Sequence, residues 1–512
     1  MCGLSGRFFL SRPSGSCAPP RSPQKLITKR AARARGLAEI REGLTFDDVL
    51  LVPKYSDIAS RSQVSLRTRI SRNIEASLPL ISANMDTVTE HAMAVTMARE
   101  GGIGIVHRFL GMREQADEIL KVKRSGSVMV ENPYTISPDQ SIADALAYER
   151  DMGVSGLLVT EGDSRRLVGV ITERDIVFAP DRGARVRDVM TTDLVTGSAG
   201  IGLEEAKRIL HDNRIEKLPL VDAEGRVTGL VTSTDILDAE AYPDASKDKK
   251  GRPLVGAAVG VKDDYMDRAE ALLGAGADVI VVDIAHGHSE NALSAVRSLR
   301  RAFGDAEIIA GNVATAAGAE DLIKAGVDAV KVGVGSGSIC ITRVITGSGV
   351  PQLSAVMDCA AVARDHGIPV ISDGGTRTSG DVTKALAAGA SAVMLGGMLG
   401  GTDESPGTVI TKDSKRFKVY RGMASLAASM GRRAKEGRVE DDINDYVAEG
   451  VEALVPYRGS VREILAQLSG GVRSGLSYCG AHDIAQLQRN AEFVRMSRAG
   501  FAESQPHDVA VV

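Results

Sequence analysis

The sequence predicts an α/β protein, a (β/α)8 (TIM) barrel that carries an inserted module. Three observations predict this fold. Short apolar runs alternate with helical patterns, an Ala-Gly pair ends the helical pattern at 275, 325 and 388, and one long segment interrupts the alternation with an internal repeat. Alternating strands and helices favour a parallel sheet, and a glycine commonly ends a helix. About eight such strands close into a barrel, with the chemistry on the loops that follow them.

Eight apolar runs are the candidate barrel strands. Two of them, 78–88 and 101–109, lie in the first quarter of the chain, and the others begin at residue 255. Continuous apolar runs are typical of parallel strands that are buried on both faces. The six later runs are 255–261, 278–287, 307–315, 329–338, 368–375 and 391–398.

The segment between these two groups, residues 126–240, contains a duplication. LVGVITERDI at 167–176 matches VTGLVTSTDI at 227–236, and a helical pattern precedes each copy. This repeated unit resembles a tandem pair of CBS domains. The resemblance implies a regulatory module that binds adenine or guanine nucleotides, with the final Asp of T-x-x-D on a ribose. A nucleotide-free scaffold for assembly is the alternative. The implied nucleotide residues are Thr172, Asp175, Thr232 and Asp235.

The 512-residue chain is long enough for several domains, and its formal net charge of −4 indicates neither a nucleic acid nor another strongly charged partner. Its five cysteines form no CxxC pair, so neither a disulfide framework nor a zinc site is expected. No apolar run is long enough for a membrane helix.

The predicted domains are a leader at 1–38, barrel segments at 39–125 and 241–490, the module at 126–240 and a tail at 491–512.

The leader, residues 1–38, is basic and contains no Asp or Glu. Such a composition is typical of an organellar transit peptide, but a disordered basic tail or an over-extended start has the same composition. We therefore expect a cytoplasmic protein, with an organelle as the alternative location.

Two glycine-rich loops follow the last two predicted strands. They read SDGG at 372–375 and LGGM at 395–398. Backbone N–H groups of such loops can approach a phosphate closely, and Asp373 can accept hydrogen bonds from a ribose diol. Each loop alone also fits a simple tight turn. Together the two loops indicate a nucleotide site.

Cys340 lies in a third glycine-rich stretch, GVGSGSICITR at 333–343. A cysteine on a partly exposed loop can form a thiolate and attack an electrophile. From this motif alone, a nucleophile and an ordinary core cysteine are equally supported.

Five ordered motifs narrow these alternatives. From about residue 40 to the C-terminus the chain resembles the IMP dehydrogenase/GMP reductase family. The resemblance implies that Cys340 attacks C2 of a purine nucleotide to form a thioimidate-type adduct, while NADPH or NAD exchanges hydride at that carbon. The motifs are LTFDDVLLVP (44–53), SANMDTV (82–88), GNVATA (311–316), GVGSGSICITR (333–343) and YRGM (420–423).

The same resemblance implies the roles of individual residues. Phosphate and ribose would be held by Ser338, Asp373, Gly375, Gly396, Gly397 and Tyr420, and the base would face Gly422, Met423 and Glu449. Asp283, Asn312, Gly333 and Gly335 would lie towards the nicotinamide. A monovalent cation, potassium in the family, would bind carbonyls of Gly335, Gly337 and Cys340 with Glu503, Ser504 and Gln505 of a neighbouring subunit. The implied assembly is a homotetramer, with an octamer as the larger alternative.

The family contains two reactions, which share one adduct. A dehydrogenase oxidises IMP with NAD and hydrolyses the adduct to XMP with the help of an Arg-Tyr pair. A reductase expels ammonia from GMP and reduces the adduct with NADPH to IMP. Residues 424–450 contain no Arg-Tyr step; Lys435 and Glu436 stand near its place, with Arg432, Arg433 and Arg438 nearby.

GMP reductase is therefore the preferred hypothesis, with Thr342 and Glu449 as the relay that brings a proton to the leaving amine. IMP dehydrogenase is the alternative, because the CBS-like pair and the C-terminal GGVRSGLSYCGA and ESQPHDV resemble dehydrogenases. A nucleotide-sensing pseudoenzyme is a third hypothesis.

Overall fold

The computed structural model divides the chain into two compact units, Met1–Gly43 and Leu44–Val512. Of the first unit only residues 40–43 are described, and the architecture below is that of the second unit. The described residues are 40–125, 130–131, 133–177, 179, 181–428, 430 and 447–506.

Eight parallel strands of the second unit form a closed barrel, which confirms the predicted fold class. Each predicted apolar run contains one of these strands, and the barrel closes where Val393 of the eighth pairs with Leu80 of the first. From first to eighth the barrel strands are Leu80–Ser82, Ile103–Val106, Val255–Val259, Val279–Asp283, Glu307–Val313, Ala329–Val332, Val370–Asp373 and Ala392–Leu395.

The barrel strands read as unbroken apolar runs because both of their faces are buried. In the fourth strand Val279 and Val281 belong to the apolar cluster inside the barrel, while Ile280 and Val282 pack in the cluster under the surrounding helices. Successive side chains of a strand point to opposite faces, so both sets must be apolar. The core is thus one layer inside the barrel and one between the barrel and its helices.

Helices on the outside of the barrel connect these strands. The glycines of the three Ala-Gly pairs, Gly276, Gly326 and Gly389, all have positive φ, as expected where a helix gives way to a strand. The helices of this part of the chain are His91–Arg99, Met112–Arg124, Tyr265–Gly274, Glu290–Ala302, Ala316–Ala325, Thr342–Thr346, Gln352–Asp365, Ser379–Ala387, Val461–Tyr478, Ile484–Asn490 and Arg498–Glu503.

Between the second and third barrel strands lie two small units of similar build. Each has the order strand, helix, strand, strand, helix around a three-stranded sheet. The first consists of Thr135–Ile136, Ile142–Met152, Gly156–Glu161, Arg166–Thr172 and Glu173–Val177. The second consists of Gly197–Ser198, Leu203–Asn213, Lys217–Val221, Val227–Thr232 and Ser233–Ala241.

Three further sheets cover the barrel. The sheet that bears on the site pairs the hairpin of Ile410–Lys412 and Lys415–Arg421 with Glu452–Pro456. The other two pair Val49–Leu51 with Phe493–Arg495 and Thr68–Arg69 with Glu75–Ala76. Over the described ranges, no helix combines the length and the apolar character that a membrane span requires.

A buried carboxyl group lies in the first small unit. Glu149, on the helix Ile142–Met152, is 5% exposed, and among the described residues its Oε1 atom has no hydrogen-bond partner. Burial raises the pKa of Glu149 to about 7. The carboxylates of Glu173 and Asp175 add to this rise, and the charge of Lys217 opposes it. The folded state therefore favours the neutral form of this side chain.

We predict that Glu149→Gln stabilises the protein at alkaline pH. The folded pKa lies above the ordinary value of 4.5, so the stability contributed by Glu149 is complete below that value and is lost as pH rises towards 7. Urea unfolding should show a gain of about 1 to 3 kcal/mol at about pH 8 and almost none at about pH 4. The exposed Glu161→Gln is the control, and an equal gain at both pH values for Glu149→Gln would contradict the prediction.

Candidate active site

The candidate site lies on the rim where the barrel strands end. The sixth strand ends at Val332, and the chain continues through the loop 333–341, which we call the Cys loop. Gly333 begins this loop at φ 151°, and a Cβ atom there would lie 1.9 Å from the carbonyl oxygen of Asp373. Only a glycine permits this contact, which sets the Cys loop directly against the end of the seventh strand.

Cys340 stands in a chain of three polar side chains. Its Sγ atom is 3.1 Å from Oγ1 of Thr342, whose hydroxyl donates to Oε2 of Glu449 at 2.8 Å. Cys340 is partly exposed, whereas the Cys359 and Cys479 thiols are buried, and burial raises the pKa of Cys359 to about 12. Of these three thiols, Cys340 is therefore the one with a nucleophile's surroundings.

The backbone brings Glu449 to the Cys loop. The N–H of Ile341 donates to the carbonyl of Glu449 at 2.8 Å, and the N–H of Val451 donates to Ile339 at 3.0 Å. On its other side the segment 447–451 bonds to the YRGM motif, where Gly422 donates to Val451 at 3.0 Å. Gly422 and Glu449, two of the residues predicted to face the purine base, thus lie next to the Cys loop, and Met423 follows Gly422 in the YRGM motif.

The predicted phosphate residues also come together. A Cβ atom on Gly396 would lie 2.9 Å from the Tyr420 hydroxyl, and one on Gly397 would lie 2.9 Å from the Ser338 hydroxyl. Tyr420 is 4% exposed, and burial raises its pKa to about 12 despite a hydrogen bond to Ser338. Its hydroxyl therefore remains a donor at neutral pH.

The SDGG loop bonds to the Cys loop. The N–H of Gly375 donates to the carbonyl of Ser336 at 3.0 Å, and the Ser336 hydroxyl donates to the carbonyl of Asp373 at 3.1 Å. Asp373 is the last residue of the seventh strand. Its carboxylate lies beside Asn312 of the fifth strand, which donates to it at 2.8 Å.

Several residues of this rim do not stand out in the sequence. Lys331 bridges Asp283 and Asp373, and the signal that could reveal it is a lysine inside the apolar run AVKV. Arg421 forms an ion pair with Asp86 of SANMDTV, which ties the YRGM motif to the end of the first strand. Arg458 donates to the carbonyl of Gly397 at 2.9 Å.

The predicted cation residues are only partly brought together. Gly337 and Cys340 share one turn of the Cys loop, because the N–H of Cys340 donates to the carbonyl of Gly337 at 3.1 Å. Glu503, Ser504 and Gln505 are exposed, and Ser504 bonds to Gly500 of its own helix. No cluster of three His, Cys, Asp or Glu side chains suited to a metal occurs within the described ranges. Lys435, Glu436 and the arginines near them lie outside the described residues.

Both T-x-x-D motifs of the small units cap helices. Asp175 accepts from the N–H of Thr172 at 2.8 Å, and Asp235 accepts from the N–H of Thr232 at 3.1 Å. A cleft of about 570 Å3 opens between the two small units and includes Thr172 and Asp175 in its lining. Its charged residues are Glu173, Arg174, Asp175, Asp193, Arg214, Glu216 and Lys217.

This geometry can be compared with known proteins. The family model described as "IMP dehydrogenase / GMP reductase domain" matches residues 43–507. The chain belongs to that family. Inosine-5'-monophosphate dehydrogenase of Nitrosopumilus maritimus is 72% identical over 477 residues, which are 93% of this chain and 100% of that protein. GMP reductase of Leishmania donovani is 50% identical over 485 residues, 93% of this chain and 98% of that protein.

A solved structure is similar over nearly the whole chain. It is a cysteine-to-alanine variant of GMP reductase from Trypanosoma brucei in complex with guanosine 5'-monophosphate. The TM-score is 0.87 at 47% identity, with 92% of this chain and 99% of that chain covered. The family predicted from the motifs and the barrel fold predicted from the alternation of strands and helices are both confirmed.

We predict that Gly333→Ala displaces the Cys loop from the seventh strand. The added methyl group meets backbone, which cannot yield as a side chain can, so we expect a loss of about 3 kcal/mol in thermal unfolding and faster alkylation of Cys340. Gly347→Ala is the control: Gly347 also has a positive φ but faces open space, so the expected loss is about 1 kcal/mol. Equal effects of the two variants would refute this account of the loop.

Proposed function

We propose that the chain is a purine nucleotide oxidoreductase with the reaction of GMP reductase, in which GMP and NADPH give IMP, ammonia and NADP. The observation that supports this proposal is the contact chain from Cys340 through Thr342 to Glu449, at 3.1 and 2.8 Å. It places a nucleophile and a proton carrier side by side, which suits the removal of an amine from an adduct.

The chemistry assigned to these side chains has two steps. The Cys340 thiolate adds to C2 of GMP, and the amine leaves as ammonia with a proton that is relayed through Thr342 and Glu449. Once C2 has gained a hydride, which a bound nicotinamide cofactor would supply, the C–S bond would break, return the thiolate to Cys340 and release IMP. Thr342 serves as the link because its hydroxyl touches both the thiol and the carboxylate.

The proposed nucleotide position follows from the rim. Ser338, Gly396, Gly397 and Tyr420 would hold the phosphate with hydroxyl and backbone donors, while Gly375 lets the SDGG loop approach it. Asp373 would accept from the ribose hydroxyls. Gly422, Met423 and Glu449 would then border the base beside the Cys340 thiol.

The residues proposed for the nicotinamide cofactor fit a polar ligand. Asp283 ends the fourth strand with its side chain 18% exposed, so its carboxylate can reach a ribose hydroxyl. Asn312 lies on the neighbouring strand, and Gly333 and Gly335 stand at the start of the Cys loop. Bound there, the cofactor would supply the hydride.

We also propose the monovalent cation and the assembly that accompany this site. Carbonyl oxygens suit a hard cation, and the carbonyl of Gly337 keeps a lone pair after it accepts from Cys340. Gly335 and Cys340 would supply the other carbonyls. The exposed Glu503, Ser504 and Gln505 of a second copy would complete the site within a tetramer.

IMP dehydrogenase is the second candidate, because a protein with that name is 72% identical over its whole length. The same adduct and the same Thr342–Glu449 pair serve it, with the pair taking a proton from water instead of giving one to an amine. Hydrolysis of the adduct needs such an activated water. The stretch 424–450 contains no Arg-Tyr step for that task, which favours the reductase.

Two parallel assays decide between these reactions. One contains GMP and NADPH, and the other contains IMP and NAD. Ammonia release coupled to NADPH consumption supports the proposal, whereas XMP formation with NADH assigns the dehydrogenase. Activity in neither assay would favour the pseudoenzyme hypothesis.

We predict that Cys340→Ser abolishes turnover while GMP binding changes less than about threefold, because a hydroxyl is a far weaker nucleophile at neutral pH but fills similar space. Steady-state kinetics and calorimetry with GMP measure the two effects. Cys359→Ser is the control at a buried thiol remote from the relay. Wild-type turnover by Cys340→Ser would eliminate the covalent mechanism.

A regulatory nucleotide is proposed for the cleft between the small units. Its volume of about 570 Å3 is ample for a mononucleotide, and Arg214 and Lys217 supply cations for phosphates. Asp175 lies at this cleft, so it would accept from a ribose. Thr232 and Asp235, which do not line this cleft, are proposed for the equivalent position in the second small unit.

We predict that Asp175→Ala weakens nucleotide binding to the cleft at least about tenfold and removes the response of the enzyme to ATP or GTP. Asp144→Ala is the matched control: Asp144 accepts from the N–H of Ser141 at 3.0 Å, so the variant removes the same type of helix cap, worth about 1 kcal/mol, but Asp144 does not line this cleft. Calorimetry with ATP and GTP measures binding. Equal losses in both variants would mean that the cap, and not a nucleotide contact, is responsible.

A further inference from the structure

The sixth barrel strand carries a charged residue among apolar ones. Lys331 stands between Val330 and Val332, and its side chain is 2% exposed. A buried ammonium group is costly unless each of its N–H bonds finds an acceptor. Lys331 has three such acceptors: Oδ1 of Asp283 at 3.1 Å, Oδ2 of Asp373 at 3.1 Å, and Oδ1 of Asn312.

These contacts determine which atoms of the neighbours face the rim. Asn312 turns its amide oxygen to Lys331, and its Nδ2 donates to Oδ2 of Asp373 and to the carbonyl of Gly333, each at 2.8 Å. Within the described part of the chain, both bonds to the Asp373 carboxylate thus fall on Oδ2. The Oδ1 atom remains for a ligand.

Lys331 also balances the charge of this cluster. Burial alone would raise the pKa of Asp283, but Lys331 and Arg108 outweigh it and lower that pKa. Burial alone would lower the pKa of Lys331, but the carboxylates of Asp373 and Asp283 outweigh it and raise that pKa. Without the ammonium group, two partly buried carboxylates would lie close together, which favours protonation of one of them.

We infer that Lys331 is a positioning residue for the reaction: it holds Asp373 on the ribose side and Asp283 with Asn312 on the cofactor side in one arrangement. The inference rests on the proposed function, which assigns those three residues to the ligands. Lys331 thereby joins the residue proposed for the nucleotide ribose to the residues proposed for the nicotinamide cofactor.

The barrel contains a matched control for this role. Lys123 is 3% exposed and bonds to Asp248 at 3.0 Å and Asp278 at 2.6 Å, so it too joins two carboxylates. Asp278 precedes the fourth strand, whereas Asp283 ends it, so the two lysines serve opposite ends of the barrel. Lys123→Met removes a buried ammonium group that joins two carboxylates, as Lys331→Met does, but outside the proposed site.

The experiment compares wild type, Lys331→Met, Lys123→Met and the double variant Lys331→Met/Asp283→Asn. For whichever nucleotide the wild type turns over, kcat and KM are measured from about pH 5 to about pH 9, and GMP and IMP binding is measured by calorimetry. In Lys331→Met we expect binding to weaken at least about tenfold, and the acidic limb of kcat/KM to move at least about one pH unit towards neutral.

The double variant should return the acidic limb of kcat/KM towards its wild-type position, because it removes one positive and one negative charge together. It also allows the inference to be tested if the single variant does not fold. Lys123→Met should lower the unfolding temperature without moving the limb. A wild-type profile in Lys331→Met, or an equal shift in Lys123→Met, would overturn the inference.

Results that would overturn the proposed function differ from those that would overturn the Lys331 inference. Wild type that binds GMP or IMP but turns over neither would overturn the function, and the Lys331 inference would then be judged on its binding and the pH dependence of that binding. Wild type that binds neither nucleotide would overturn both.

Discussion

Parallel closure of the eight-stranded sheet is the constraint on which the site depends. Because every strand runs in the same direction, Asp283, Asn312, Gly333 and Asp373 all leave the barrel at one rim although they are far apart in the chain. Hydrophobic burial on both faces makes this rim rigid. The polar side chains there are held by strands rather than by loops, which preserves their mutual distances.

Two backbone contacts bring the proposed reactive groups together at that rim. Gly333 lets the Cys loop lie on the carbonyl of Asp373, and the pairing of Ile341 with Glu449 brings a carboxylate from a distant segment to Thr342. Both contacts use main-chain atoms. The alignment of the thiol, hydroxyl and carboxylate therefore depends on backbone geometry as much as on the three side chains.

The small units show how one motif can carry two roles. In both copies the aspartate of T-x-x-D accepts from the N–H of the threonine, so the repeat has a structural reason that needs no ligand. The two copies differ in their surroundings, because Asp175 lines the cleft and Asp235 does not. Recurrence of a motif thus indicates a shared local structure. Whether that structure also binds a ligand depends on the surface around it.

By itself the sequence determined the local structure. Apolar runs between helical patterns identified the eight strands, and the glycine-rich motifs identified Cys340 and the loops around it. These features can be predicted because burial and turn geometry depend on residues that are close in the sequence. Only the tertiary structure decided which distant side chains meet. Lys331 joining Asp283 to Asp373, and Arg421 joining Asp86, arise from strand order around a closed sheet. Such pairings depend on three-dimensional closure, which no local pattern encodes.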